Sequence, residues 1–174
     1  LWHFLHDYQQ KRVLTFINPT SDPLGISYNA IQSMIAVGSG GLFGKGLGEG
    51  TQSSLRFLPE RHTDFIFATL SENLGLVGMV IIFTCFGFLL YRIFTIYTNT
   101  DETFYKILCI CGFFLFLTQF FINAGMNMGM VPVVGVTLPF VSYGGSSLLS
   151  NFILLGFLSS ISKNFQSPHT LEIR

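Results

Sequence analysis

Polar and charged positions interrupt every apolar run up to residue 64, and after it the apolar residues gather into blocks long enough to cross a bilayer. The first block, Phe65 to Tyr97, contains the charge-free core LGLVGMVIIFTCFGFLLY and reaches its first basic residue at Arg92. About 20 residues cross the hydrocarbon as a helix, so a span is predicted over 65–97. From Ile107 to Ser162, a run of 56 residues, there is no Asp, Glu, Lys, Arg or His, but GMNMGMVPVVGVTLPFVSYGG breaks the run in the middle. Gly and Pro at that density end helices, which predicts two more spans, at 105–124 and 145–162. Irregular backbone near membrane depth is tolerated only where protein or a watery cavity satisfies its polar groups. The interrupted stretch is therefore expected to line a cavity.

The first 64 residues cannot span. They carry the turn-forming NPTSDPLG and the glycine-rich GSGGLFGKGLGEG. Between these, ISYNAIQSMIAV sets Ile26, Ala30, Ile31, Met34, Ile35 and Val37 at helical spacing, too short to cross and polar on its other side, which suits an interfacial amphipathic helix. Residues 1–64 are read as a large loop lying on the membrane, and 1–174 as a single all-α membrane domain with three transmembrane helices. The opening LWHFLHDYQQKRV has neither a basic n-region nor a cleavage site, so no signal peptide is expected. It reads as part of something longer.

Composition strengthens this picture. Charged residues are 10% of the chain, against about 25% in a soluble domain, while 49% is hydrophobic and Phe alone numbers 20. Nine basic residues balance nine acidic ones, so no global field favours nucleic acid. Cys85, Cys109 and Cys111 fall in apolar runs and read as buried thiols rather than a disulfide or metal framework.

Charge placement orients the spans. Arg92 and Lys106 near the first turn, and Lys163 and Arg174 in the tail, mark one side as cytoplasmic, because the turn between the second and third spans has no basic residue. The loop and its PERHTD segment then face outward. Five Lys/Arg in that loop run against a simple count, but at some sixty residues such a count loses force.

An outward site excludes chemistry that needs ATP or a nucleotide sugar, and favours a donor that arrives activated, most simply as a lipid-linked diphosphate. The glycines agree: a Walker motif would need Gly at Ser39 and Ser or Thr at Gly46, and the dinucleotide spacing begun at Gly38 fails at Phe43. A flexible turn close to the bilayer is favoured over a phosphate cradle.

Ionisable groups concentrate in FLPERHTDFIF, Phe57 to Phe67. A carboxylate at the head of a span is kept ionised by the helix dipole or neutralised by apolar neighbours such as Phe65 and Phe67. The bland alternative is that Asp64 or Thr63 caps the helix while Glu60, Arg61 and His62 solvate the interface. His62, alone, reads as an interfacial hydrogen-bonding residue. Glu72, two turns into the span, reads as structural support.

FLPERHTDFIFATLSENLGLVG together with NMGMVPVVGVTLPFVSYGGSS resembles the SEDS family of shape, elongation, division and sporulation proteins. KRVLTFINPTSDPLG, GSGGLFGKG and LPERHTDF are similar to its RodA branch more than to its FtsW branch. The resemblance runs from about Tyr8 to Ser162. It implies the C-terminal portion of a ten-helix bacterial inner-membrane peptidoglycan glycosyltransferase that polymerises lipid II beside a class B penicillin-binding protein. It also implies that Asp64 is the essential acid, as general base or electrostatic partner of the acceptor hydroxyl. Arg12, Lys45 and Arg61, with Arg56 behind them, become candidates to hold the diphosphate. Gln52, Glu60 and His62 would shape the site, and Pro132, Gly135, Pro139, Ser142, Tyr143, Gly144 and Gly145 would build the cavity wall. There is room for a divalent cation, Mg or Mn, although no dedicated cage is visible. The chain departs from the family at SENL, where Asn73 replaces an acid of the usual EEL. Two other readings stay open: a flippase or transporter that depends on Glu72 and a gradient, and a scaffold whose Phe-rich helices at 79–97 and 104–121 bind a partner's transmembrane helix.

Overall fold

The computed structural model describes residues 6–18, 26–46, 49–50 and 62–166. Among these the fold is all-α. Two shorter helices, α1 (Asp7–Ile17) and α2 (Ile26–Ser39), precede three long ones, α3 (Ile66–Thr98), α4 (Thr103–Asn127) and α5 (Gly145–Gln166). Each long helix is long and apolar enough to cross a membrane.

Helix α1 lies in a stretch for which the apolar pattern predicts no helix. Its start is fastened where the Gln9 side chain reaches back to the His6 N–H at 3.1 Å, but Leu14, Phe16 and Ile17 are exposed and Thr15 is the buried position. In α2 the buried face is also unexpected: Ser27, Ser33 and Ala36 are fully buried, whereas Ile35 is exposed. Small residues let α2 approach α3 closely, as they do between helices in membranes. Ser33 Oγ satisfies itself on the Ala30 carbonyl at 2.8 Å.

Only residues 99–102 separate α3 from α4, whereas the longer stretch 128–144 leads from α4 to α5. Ile93, Cys109, Phe116, Leu158 and Ile161 join the three helices in one buried cluster. Phe67, Met79 and Ala124 form a second between α3 and α4, where Phe83 and Phe120 meet edge to face at 4.9 Å between centroids. Burial does not extend to every cysteine: Cys109 is buried, but Cys85 and Cys111 are exposed. Apolar neighbours in sequence do not mark the protein interior when the outer helix faces are themselves apolar.

Helix α3 is broken once, at Gly75, whose φ of 64° and ψ of −162° are not helical. The break withdraws two helical bonds, and the glycine loop after α2 replaces them. Lys45 and Gly46 donate their N–H groups to the carbonyls of Glu72 and Asn73 at 2.9 and 3.2 Å, and the carbonyls of Gly41 and Leu42 accept from Leu76 and Val77 at 3.0 and 3.1 Å. A Cβ on Gly40, Gly44 or Gly75 would collide with backbone across this junction. Instead of lying free beside the bilayer, as expected, the loop is a backbone splint on α3.

Candidate functional site

The predicted site lies where α3 begins, α4 ends and α5 begins. Three successive carbonyls of the HTD segment are held by other parts of the chain. Tyr143 N–H donates to His62 O at 2.8 Å, Ser142 Oγ donates to Thr63 O at 2.7 Å, and the side-chain amides of Asn123 and Asn127 donate to Asp64 O at 3.0 and 3.1 Å. Ser142 also accepts from Leu138 N–H at 2.7 Å, so one hydroxyl ties the HTD turn to the loop between α4 and α5. The N-cap of α3 is Phe65, without a side-chain cap bond. Neither Thr63 nor Asp64 occupies the cap position.

With its main chain held, Asp64 presents a half-buried side chain to Gly135. Gly135 has φ 79°, and a Cβ added there would come within 3.2 Å of Asp64 Oδ2. Next to Gly135, the Val134 carbonyl accepts from Arg12 Nη1 at 3.1 Å, so α1 delivers its guanidinium to the same loop across 122 positions of sequence. Arg12 and Pro132 line a cavity of about 120 Å³ together with Met34, Met126 and Val133.

The remaining predicted residues separate. Lys45 sits on the splint, its Nζ 3.2 Å from Oε1 of the fully buried Glu72; Glu72 is eight residues beyond Asp64, about 12 Å along a helix. Pro139 lines an apolar cavity of about 320 Å³ with Ile82, Phe86, Phe120 and Phe140. Gly144 accepts from Leu148 N–H at 2.8 Å to begin α5, and Gly145 is that helix's first residue. The residues of the expected wall thus line two cavities and hold the HTD turn, rather than forming one surface. His62 is exposed. Gln52, Arg56, Glu60 and Arg61 lie outside the described residues.

Phe140 between Pro139 and Val141 has φ 62°, a strained conformation for an aromatic residue. Its ring is anchored on Phe116 and Phe152, with centroids 5.3 and 5.4 Å away, which keeps the turn closed at Ser142.

Among the described residues no group of three or more His, Cys, Asp or Glu could hold a metal ion. The residues missed in sequence are Asn123 and Asn127. Their signal was present, as two amides spaced i, i+4 in a run without charge, a spacing that sets both on one helix face.

Residues 1–167 match the family FTSW_RODA_SPOVE, described as cell cycle proteins. The chain is 51% identical over 162 residues to the peptidoglycan glycosyltransferase MrdB of Escherichia coli K12, covering 92% of this chain and 44% of the relative. It is 45% identical over 157 residues to the peptidoglycan glycosyltransferase RodA of Treponema pallidum, covering 90% of this chain and 36% of the relative. With the stage V sporulation protein E of Bacillus subtilis the identity is 43%, over 90% of this chain and 41% of the relative. The chain thus spans less than half the length of the curated relatives it matches. A solved chain from a peptidoglycan synthase complex that coordinates polymerization and crosslinking superimposes with a TM-score of 0.71 at 30% identity, over 95% of this chain and 45% of that one.

Proposed function

The chain belongs to the FtsW, RodA and SpoVE family of cell cycle proteins, and from that premise we propose that it carries the reacting end of a peptidoglycan glycosyltransferase that polymerises lipid II. In the whole protein the three long helices belong to a ten-helix bundle in the bacterial inner membrane. The Asp64 end faces outward, and the opposite end, which carries Arg92 and Lys106, faces the cytoplasm in keeping with the distribution of basic residues.

Asp64 acts as general base. It accepts the proton of the acceptor sugar's hydroxyl as that oxygen bonds to the anomeric carbon of the donor, and the bond from that carbon to undecaprenyl diphosphate breaks, with its electron pair leaving on the diphosphate. Arg12 is suited to the departing charge, since its guanidinium can offer further N–H donors beside the one given to Val134. Lys45, bonded to Glu72, supports α3; it meets the diphosphate only if that pair opens. A class B penicillin-binding protein, crosslinking the product, is the proposed partner, in line with the synthase complex matched above.

The observation that carries this reading is the grip on the main chain of His62, Thr63 and Asp64, which holds a carboxylate at one end of three membrane-length helices beside a glycine that leaves it room. The flippase reading would need Glu72 to titrate in a path, but Glu72 is fully buried against Lys45. The test is polymerisation of labelled lipid II by the full-length parent, purified with its partner, as wild type and as Asp64→Ala. A positioned base contributes about 10²- to 10⁴-fold, so chain growth should fall by at least about 10²-fold with the complex intact. Wild-type growth in Asp64→Ala refutes the assignment.

A further inference from the structure

Asn123 is fully buried in a membrane-spanning helix, and both protons of its side-chain amide have acceptors on other segments. Nδ2 lies 3.0 Å from Asp64 O and 2.7 Å from Val136 O. One planar amide therefore spans the HTD turn and the loop that carries Gly135, the residue beside Asp64 Oδ2. Asn127, one turn on, donates to Asp64 O at 3.1 Å and returns a bond to Asn123 O at 2.8 Å. The backbone of Asn127 is itself engaged from α2, where Ser33 Oγ donates to its carbonyl at 3.3 Å.

We infer that Asn123, seconded by Asn127, is a positioning residue for the transfer reaction: it fixes the Asp64 peptide plane against Val136 and so sets where the carboxylate stands relative to the acceptor hydroxyl. This rests on the reading of Asp64 as the base. The physical reason is geometric. The Asp64 carbonyl and its Cβ are attached to adjacent atoms of one short segment, so rotation of that peptide plane swings the carboxylate, and the amide prevents the rotation from two sides. Buried and uncharged, Asn123 does not touch substrate; it acts through the main chain of Asp64. An amide suits this task because a carboxylate would set like partial charges against two carbonyl oxygens, and an alcohol has one proton where two are needed.

The experiment uses the full-length parent with its partner and measures initial rates against lipid II concentration for wild type, Asn123→Ala, Asn127→Ala and Asp64→Ala. Co-purification with the partner and the thermal midpoint report the fold. A displacement of about 1 Å at a reacting group can cost about 10²-fold. Asn123→Ala should therefore lower kcat by roughly 10²-fold while KM stays within about threefold and the complex remains intact; Asn127→Ala should show the same split, to a smaller degree. If Asn123→Ala does not yield a folded complex, the split is read from Asn127→Ala. An unchanged kcat in the folded variant, or a rise in KM that accounts for the whole loss, overturns the inference. Asp64→Ala separates the two proposals: if it is inactive while the asparagine variants turn over normally, only the positioning role fails, and if it is active, the reading of the site fails with it.

Discussion

Gly75→Ala attacks the junction between α3 and the glycine loop without touching the site. At φ 64° and ψ −162° the position lies where glycine alone is at ease, and another residue there costs about 1–3 kcal/mol. The added Cβ would also meet Gly44 N and the Leu42 carbonyl. The helix can escape by straightening, since Leu76 and Val77 would then donate to Glu72 and Asn73. That recovers two helical bonds but releases four across the junction, a net loss of about 1–3 kcal/mol at 0.5–1.5 kcal/mol per bond. Straightening also draws Lys45 away from Glu72, whose side chain is fully buried; stranding one member of a buried pair costs about 3–5 kcal/mol. Remaining kinked costs the strain and the collision, so either route is expensive. Gly87 in the same helix is the control, for an added Cβ meets nothing within 4 Å, and alanine there should stabilise the helix by about 0.5–1 kcal/mol. The assay is thermal unfolding of the full-length parent in detergent, with each variant beside wild type. Gly75→Ala should melt well below wild type and Gly87→Ala at or above it. Equal midpoints for the two variants would refute the splint.

Two further perturbations probe the charges and the site. Glu72→Gln and Lys45→Met should each lower the unfolding midpoint, and the double variant should be less destabilised than the two effects added, because each single change leaves a partner uncompensated; strict additivity would show that the pair does not couple. Gly135→Ala places a methyl group 3.2 Å from Asp64 Oδ2 at a positive φ, so lipid II polymerisation should fall by more than about tenfold, given the sensitivity of reacting groups to small displacements, and activity near wild type would show that the carboxylate does not need that space.

Legibility followed the range of the interaction. Three long helices were readable because a run such as Leu74–Tyr91 announces itself through length and apolarity alone, and the break after α4 was readable because Gly and Pro act on their own neighbours. Helix α1 was not predicted, because its first half, with Asp7, Gln9, Gln10, Lys11 and Arg12, reads as part of a polar loop. The glycine loop was legible as a turn but not as a splint, because its partners are the carbonyls of Glu72 and Asn73, and no side-chain pattern records a main-chain acceptor. For the same reason the family resemblance pointed to Asp64, Arg12 and Ser142, while Asn123 passed unnoticed.

By itself, then, the sequence determined the fold class, the family and the stretch in which the chemistry was sought, since each rests on composition or on contiguous residues. Only the tertiary structure decided that Thr63 and Asp64 stand outside the helix cap, that Lys45 faces Glu72, and that Arg12 comes to the loop of Gly135. Each of these depends on where distant backbone lies once α2, α3 and α4 have packed, and hydrogen bonds to carbonyls are indifferent to the identity of the residue that supplies them.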